Sequence, residues 1–209
     1  MMRSLFVQVL DDDDAVRDAV TILLRTHEYA VRSYPSPRAF FEHYHPDETG
    51  CVLVDMYMPE MTGAEVHDRI SRMGDLPPPV VMITGRGDIR MAVDAMKRGA
   101  TEFLEKPLVP EDLLEAVRKS MRRRFDDLQK NERMEEAQAR IGVLTPRERD
   151  VLKQLLRGRP NKIIARELGL SPRTVEIHRA RVMEKTGAGS LPTLVRMAMA
   201  AGVDTEQSR

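Results

Sequence analysis

Cys51-Val52-Leu53-Val54-Asp55 sets four apolar residues in a row and closes them with an aspartate. The same design recurs three times on either side of it. Leu5-Phe6-Val7-Gln8-Val9-Leu10 ends in Asp11-Asp12, Val80-Val81-Met82-Ile83 in Thr84, and Thr101-Glu102-Phe103-Leu104-Glu105 in Lys106. Near-continuous short apolar runs are what strands buried on both faces look like. In open α/β sheets ligands gather at the carboxyl ends of parallel strands, so the polar residue that ends each run is a candidate site residue.

Between these runs lie amphipathic helical patterns. Strands are expected near 5–10, 30–34, 51–55, 80–84 and 101–105, with helices near 14–27, 36–45, 63–73, 88–98 and 110–124. Strand and helix alternating five times imply a parallel sheet covered by helices on both faces. The punctuation agrees: Asp13 or Asp14 can cap the first helix, Pro35-Ser36-Pro37 breaks the chain before the second, Pro77-Pro78-Pro79 forbids helix before the fourth strand, and Gly99 ends the fourth helix.

The second part of the chain reads differently. From Met121 to Arg140 it is highly charged, without Gly or Pro, while Leu114, Val117, Met121, Phe125 and Leu128 keep helical spacing. The fifth helix is therefore expected to run on, as a solvated linker or a short helix–helix contact. From Gly142 to Val203 the pattern is purely helical: Thr145-Pro146-Arg147-Glu148 is a capping box, Asn161 can cap a short helix to Leu168-Gly169, Ser171-Pro172-Arg173-Thr174 opens a third helix, and Ser190-Leu191-Pro192 a fourth. Two helices joined by a short Gly-containing turn form a helix-turn-helix unit. Ile163, Ala165, Leu168 and Val175 read as its core.

The zero net charge conceals a separation. Residues 1–120 carry 14 Lys/Arg against 21 Asp/Glu, and residues 121–209 carry 19 against 12. An acidic half that can hold a cation is joined to a basic half that can meet nucleic acid. The single cysteine, Cys51, sits in an apolar run and reads as a buried hydrophobe, and the scattered histidines offer no metal-ligand spacing. The first run is too interrupted for a secretory signal, and no stretch approaches the ~20 apolar residues of a membrane span, so a cytoplasmic protein is expected.

Asp11, Asp12 and Asp55 would bring three carboxylates to one sheet edge, a self-repelling group that becomes tolerable around a hard divalent cation such as Mg²⁺. Asp55 is the candidate nucleophile for phosphoryl transfer, Lys106 the cation for phosphate oxygens, and Thr84 a hydroxyl donor. In the basic half, Lys162, Arg173, Thr174, Glu176, Ile177, Arg179, Arg181 and Lys185 are the DNA-facing candidates: residues near the start of the third helix for base edges, and Lys162, Arg173 and Lys185 for phosphates. Glu176 can accept from a cytosine amino group or pair with Arg173 or Arg179.

Residues 4–120 resemble the receiver domain of bacterial response regulators. The motifs that carry the resemblance are Val-Leu-Asp-Asp-Asp at 9–13, Val-Asp-Met-Tyr-Met-Pro-Glu-Met-Thr-Gly at 54–63, Ile-Thr-Gly-Arg-Gly-Asp at 83–88 and Phe-Leu-Glu-Lys-Pro-Leu at 103–108. Leu-Thr-Pro-Arg-Glu-Arg-Asp-Val-Leu at 144–152, Asn-Lys-Ile-Ile-Ala-Arg-Glu-Leu at 161–168, Ser-Pro-Arg-Thr-Val-Glu-Ile-His at 171–178 and Ser-Leu-Pro-Thr-Leu-Val-Arg-Met-Ala at 190–198 look like a LuxR-type helix-turn-helix, so the whole resembles a FixJ-type response regulator.

The resemblance implies a flavodoxin-like (βα)5 receiver over 1–120 with strand order 2-1-3-4-5, a charged helical linker over 121–141, and an all-α four-helix DNA-binding domain over 142–209. It implies Asp55 as phosphoacceptor for a sensor histidine kinase, Mg²⁺ held by Asp12 directly, by Asp11 mainly through water and by the Tyr57 carbonyl, a cis Lys106–Pro107 peptide, and a switch through Thr84 and Phe103. Homodimerisation on double-stranded DNA is expected, through a face of the fourth helix and fifth strand in the receiver, with Met91, Met96 and Lys97 near it, and through Val195 and Met199 in the basic domain, with RNA polymerase as a further partner. Tyr57 stands where relatives often carry Arg, so the phosphoryl lifetime is the property expected to differ. An aspartyl-phosphate phosphatase would share the carboxylate logic, but such enzymes usually carry a second Asp where this chain has Tyr57. A constitutive DNA-binding module whose receiver no longer controls output is a further alternative.

Overall fold

The computed structural model describes residues 5–85 and 99–203. The expected helix near 88–98, with Met91, Met96 and Lys97, and positions 86–88 of the third receiver motif lie outside the described residues. The chain divides into two compact units between Leu128 and Gln129.

In the first unit β1 (Phe6–Leu10), β2 (Val31–Tyr34), β3 (Thr49–Asp55), β4 (Val80–Thr84) and β5 (Glu102–Glu105) form one parallel sheet in the order β2-β1-β3-β4-β5. Around it lie α1 (Asp14–Thr26), α2 (Pro37–Glu42), α3 (Gly63–Ile70) and α4 (Pro110–Gly142). The two-residue side-chain period of a strand sorts β3 onto two cores. Cys51 and Leu53 join Val20 and Leu24 of α1 and Leu113 and Val117 of α4, while Val52 and Val54 join Phe40 of α2 and Val66 and Ile70 of α3. This is why the run at 51–54 is apolar at every position. All seven β3 residues are buried.

The caps account for the helix starts. Asp13, not Asp14, is the N-cap of α1, its carboxylate accepting from Ala15 and Val16 N–H. Ser36 caps α2, and Thr62 and Glu65 form a reciprocal capping box on α3. The second helix stops at Glu42, short of the expected 45, because His43 turns out of helical geometry and a 3₁₀ turn over Pro46–Glu48 leads into β3.

Gly50 lets α4 approach β3 closely: a Cβ there would sit 2.3 Å from the Met121 sulfur. One turn later Arg124, 2% exposed, donates to three backbone carbonyls: Nε to Thr49 (3.1 Å), Nη1 to Leu76 (2.6 Å) and Nη2 to Pro46 (2.8 Å). The segment expected as a linker is thus built into the first unit at Arg124, and its Ala137 and Ile141 are buried in the second.

The second unit packs the end of α4, α5 (Pro146–Leu156), α6 (Asn161–Leu168), α7 (Pro172–Thr186) and α8 (Leu191–Ala200) around Leu144, Val151, Leu152, Leu155, Ile164, Val175, Val182 and Leu194. Two sequence expectations shift by one residue here. Pro160 occupies the N-cap of α6, without a side-chain cap bond, and Asn161 is its first helical residue. Ile164 is fully buried while Ile163 is only half-buried, because one residue turns a helix by about 100° and the core face follows 164, 165 and 168. Among the described residues no helix is long and apolar enough to cross a membrane.

Candidate functional site

Four parallel strands deliver four polar residues to one edge of the sheet. Asp11 follows β1, Asp55 ends β3, Thr84 ends β4, and Lys106 follows β5. Asp11 and Asp55 are 1% and 5% exposed, so their charges are held largely out of water. The Lys106 ammonium bridges them, 2.5 Å from Asp55 Oδ1 and 2.9 Å from Asp11 Oδ2.

Backbone donors fix the opposite oxygens. The Tyr57 N–H donates to Asp55 Oδ2 at 2.8 Å, and the Asp13 N–H to Asp11 Oδ1 at 2.9 Å. Lys106 is itself placed by its N–H, which donates to the Thr84 carbonyl at 2.7 Å, and the Lys106–Pro107 peptide is cis, as the family resemblance implied. Arg17 of α1, a residue that the sequence pattern did not mark, donates to the Asp11 carbonyl at 2.9 Å.

Burial pushes the Asp55 carboxyl above its ordinary value, against the opposing pull of the Lys106 ammonium and the Tyr57 N–H. Burial would lower Lys106, but its hydrogen bonds to Asp55 and Asp11 and their charges outweigh that and hold the ammonium above its usual range. A partly desolvated carboxylate with a lysine and a backbone donor around it can act as a nucleophile toward phosphorus.

Asp12 is exposed, unlike Asp11 and Asp55. Among the described residues no three acidic, histidine or cysteine side chains are grouped closely enough to hold an ion, and Lys106 bridges Asp11 and Asp55. The donor chemistry nonetheless fits a hard cation: two buried carboxylates share one ammonium, leaving a negative excess, and every donor at this edge is an oxygen.

Thr84 is buried, and Phe103, opposite Met82 in the β4–β5 register, is half-buried. Gly63 closes the floor of the site. Its N–H donates to the Met56 carbonyl at 3.0 Å, and a Cβ there would lie 2.5 Å from the Asp55 carbonyl oxygen. Tyr57 extends its ring outward, half exposed.

In the second unit α6 and α7 form the helix-turn-helix. Gly169 makes the turn in the left-handed region (φ 65°), and Ser171 caps α7 by accepting from Thr174 N–H at 3.0 Å. Val175 and Val182 point into the core, and the residues between them carry the exposed face. Arg173, Glu176, Ile177 and Arg181 are exposed on α7, Thr174 and Arg179 half-buried, and Lys162 exposed on α6.

Among the described residues Lys162, Arg173, Arg179 and Arg181 have no carboxylate partner, so neither Arg173 nor Arg179 pairs with Glu176, one of the two roles expected of it. Lys185 departs from the set. Its ammonium lies 2.7 Å from the buried Glu148 carboxylate, so its charge is balanced within the domain. The structure adds Arg140 beside it, donating to the Thr186 carbonyl at 3.3 Å.

Comparison with known proteins agrees with this division. The response regulator receiver domain family matches residues 7–118, and the bacterial regulatory proteins of the luxR family match residues 142–198. The transcriptional regulatory protein FixJ of Azorhizobium caulinodans is 44% identical over 203 residues, 97% of this chain and 96% of its own. FixJ of Rhizobium meliloti is 40% identical over 198 residues, 94% of this chain and 96% of its own. The solved structure of the response regulator StyR is 38% identical with a TM-score of 0.83, over 94% of this chain and 98% of that one. Full-length FixJ from B. japonicum is 37% identical with a TM-score of 0.58, over 97% and 100%.

Proposed function

The chain belongs to the FixJ-type response regulators of two-component systems, and on that premise we propose that Asp55 takes a phosphoryl group from a sensor histidine kinase and that this mark promotes dimerisation and sequence-specific DNA binding. The observation that carries the reading is the Lys106 ammonium bridging two buried carboxylates at the carboxyl ends of β1 and β3.

An Asp55 carboxylate oxygen attacks phosphorus, the N–P bond of a phosphohistidine breaks, and the released imidazole nitrogen takes a proton from solvent. The Tyr57 N–H orients the carboxylate, and Lys106, already at hydrogen-bond distance, follows the negative charge onto the phosphoryl oxygens. The Thr84 hydroxyl is the donor expected to close on the phosphoryl group, with Phe103 moving on the same β4–β5 face. Asp11, Asp12, Asp55 and the Tyr57 carbonyl are the oxygens that would hold Mg²⁺, whose charge offsets repulsion between the carboxylates and the incoming phosphoryl group.

The basic unit provides the output. Thr174, Glu176 and Ile177 near the start of α7 are proposed to reach base edges, and Lys162, Arg173, Arg179 and Arg181 to meet phosphates. With both cations beside it unpaired to it, Glu176 is proposed to accept from a cytosine amino group. Two such units on two half-sites make dimerisation the step that converts the mark into affinity.

Binding-site selection on genomic fragments tests input and output together. The protein treated with acetyl phosphate and Mg²⁺ should enrich a shared motif, and Asp55→Ala should take up no phosphoryl group and enrich it weakly. Equal enrichment by Asp55→Ala would show that the receiver does not control binding.

A further inference from the structure

Lys185 and Arg140 converge on the last turn of α7, the end of the recognition helix remote from the residues placed for base contact. Arg173 and Lys185 are twelve positions apart, about 18 Å along the helix. Glu148 is 2% exposed and already serves the capping box of α5, one of its oxygens accepting from the Thr145 N–H at 2.8 Å. The same oxygen accepts from Lys185 at 2.7 Å, so a residue 37 positions away in sequence supplies the countercharge for a buried carboxylate.

Arg140, in the last turn of α4, donates to the Thr186 carbonyl at 3.3 Å, and its side chain is held by Glu136 at 2.6 Å. That carbonyl belongs to the C-terminal turn of a helix, where unsatisfied acceptors and the helix dipole favour a cation. Gly187 follows in the left-handed region (φ 68°) and leaves room for the guanidinium, since a Cβ there would stand 3.3 Å from Arg140 Nη1.

We infer that Lys185 and Arg140 are positioning residues that clamp the C-terminal end of the recognition helix, Lys185 to the start of α5 through Glu148 and Arg140 to the end of α4. Lys185 is then not a phosphate contact. Its charge is committed to Glu148, and withdrawing it would leave that carboxylate buried without a countercharge. The clamp sets where the far end of α7, with Arg173 and Thr174, is presented. The inference rests on the DNA-binding reading only for that last consequence.

Two measurements on the full-length protein separate the possibilities. The first is the affinity of acetyl-phosphate-treated protein for a selected DNA site as a function of salt. Lys185→Met and Glu148→Gln should each weaken binding by about tenfold with an unchanged salt slope, and the double variant should be no worse than the weaker single one. Lys185→Arg should recover most of the loss, and Arg173→Met, a comparison substitution at a proposed phosphate contact, should reduce the slope by about 0.9. A slope reduced by that amount in Lys185→Met, or tighter binding by Glu148→Gln because the freed lysine now reaches DNA, overturns the assignment.

The second is amide hydrogen exchange over residues 183–188 without DNA. Exchange should be faster in Lys185→Met and in Arg140→Met than in the parent protein, and unchanged protection in both overturns the clamp. If the parent protein enriches no DNA sequence, the DNA-binding reading fails, and the exchange experiment still decides the clamp.

Discussion

Replacing Arg124 by methionine should destabilise the receiver selectively. Arg124 is 2% exposed and, among the described residues, its guanidinium makes no ion pair and donates to the carbonyls of Thr49, Leu76 and Pro46. Burial accordingly pulls its pKa down. Hydrogen bonds from a charged donor are worth roughly 1.5–3 kcal/mol each, so three give a gross term of about 4.5–9 kcal/mol. Against it stands the desolvation of the guanidinium, several kcal/mol, which methionine does not incur.

What remains is the cost of the carbonyls that lose this donor, of which that of Pro46 still accepts from the Thr49 N–H. Thr49 is fully buried, so its carbonyl would carry a full penalty of about 1–3 kcal/mol, while Pro46 and Leu76 are half-buried and water can reach them in part. The net loss works out at roughly 2–4 kcal/mol, a fall of about 10 °C in the midpoint of a unit this size. Scanning calorimetry of the full chain, with separate transitions for the two units, is the assay. Arg124→Lys should lie between, because an ammonium donates without the planar fork that spans three acceptors. A receiver transition lowered by less than about 2 °C, or a second-unit transition lowered equally, would refute the reasoning.

Gly63→Ala should cost about 1–3 kcal/mol and slow phosphoryl uptake, because its Cβ would meet the Asp55 carbonyl oxygen at 2.5 Å and the Met56 Cα at 3.1 Å, both backbone atoms; Gly50→Ala, which meets the flexible Met121 thioether, should cost less in the same thermal-melt series. Asp55→Asn should take up no phosphoryl group from acetyl phosphate, yet its receiver should melt higher at neutral pH. Burial raises the Asp55 carboxyl, so the folded state favours the protonated form, and ionisation costs stability that is present at low pH and lost as pH rises through the folded value.

Glu148 works in the opposite sense. Lys185 and the Thr145 N–H hold its carboxyl down at about 2, so its contribution is full above the ordinary carboxylate range and lost as pH falls through about 2. Melting of the second unit between pH 5 and pH 2 should therefore fall more steeply in the parent protein than in Glu148→Gln; parallel curves would contradict this.

The alternation of apolar runs and helical patterns determined the five-stranded parallel architecture, and with it the meeting of Asp11, Asp55, Thr84 and Lys106 at one edge, because parallel strands all end on the same side. Local chemistry also determined most helix starts, where Ser36, Thr62, Thr145, Ser171 and Ser190 cap as their side chains dictate. The strand order came from family motifs, since a strand pattern does not name its neighbours.

Tertiary structure decided the rest. Among Arg122, Arg123 and Arg124 nothing local singles out the third, yet helical phase buries it and leaves the other two in water. Phase likewise chose Ile164 over Ile163 for the core. Lys185 read as an unpaired cation because its partner lies 37 residues away, and Lys106 came to bridge Asp11 and Asp55 only when the sheet closed a separation of 95 residues between lysine and first aspartate. Periodicity and capping act within a few residues and are written along the chain. Charge pairing across a fold depends on which distant segments the core brings together, and that is settled by packing.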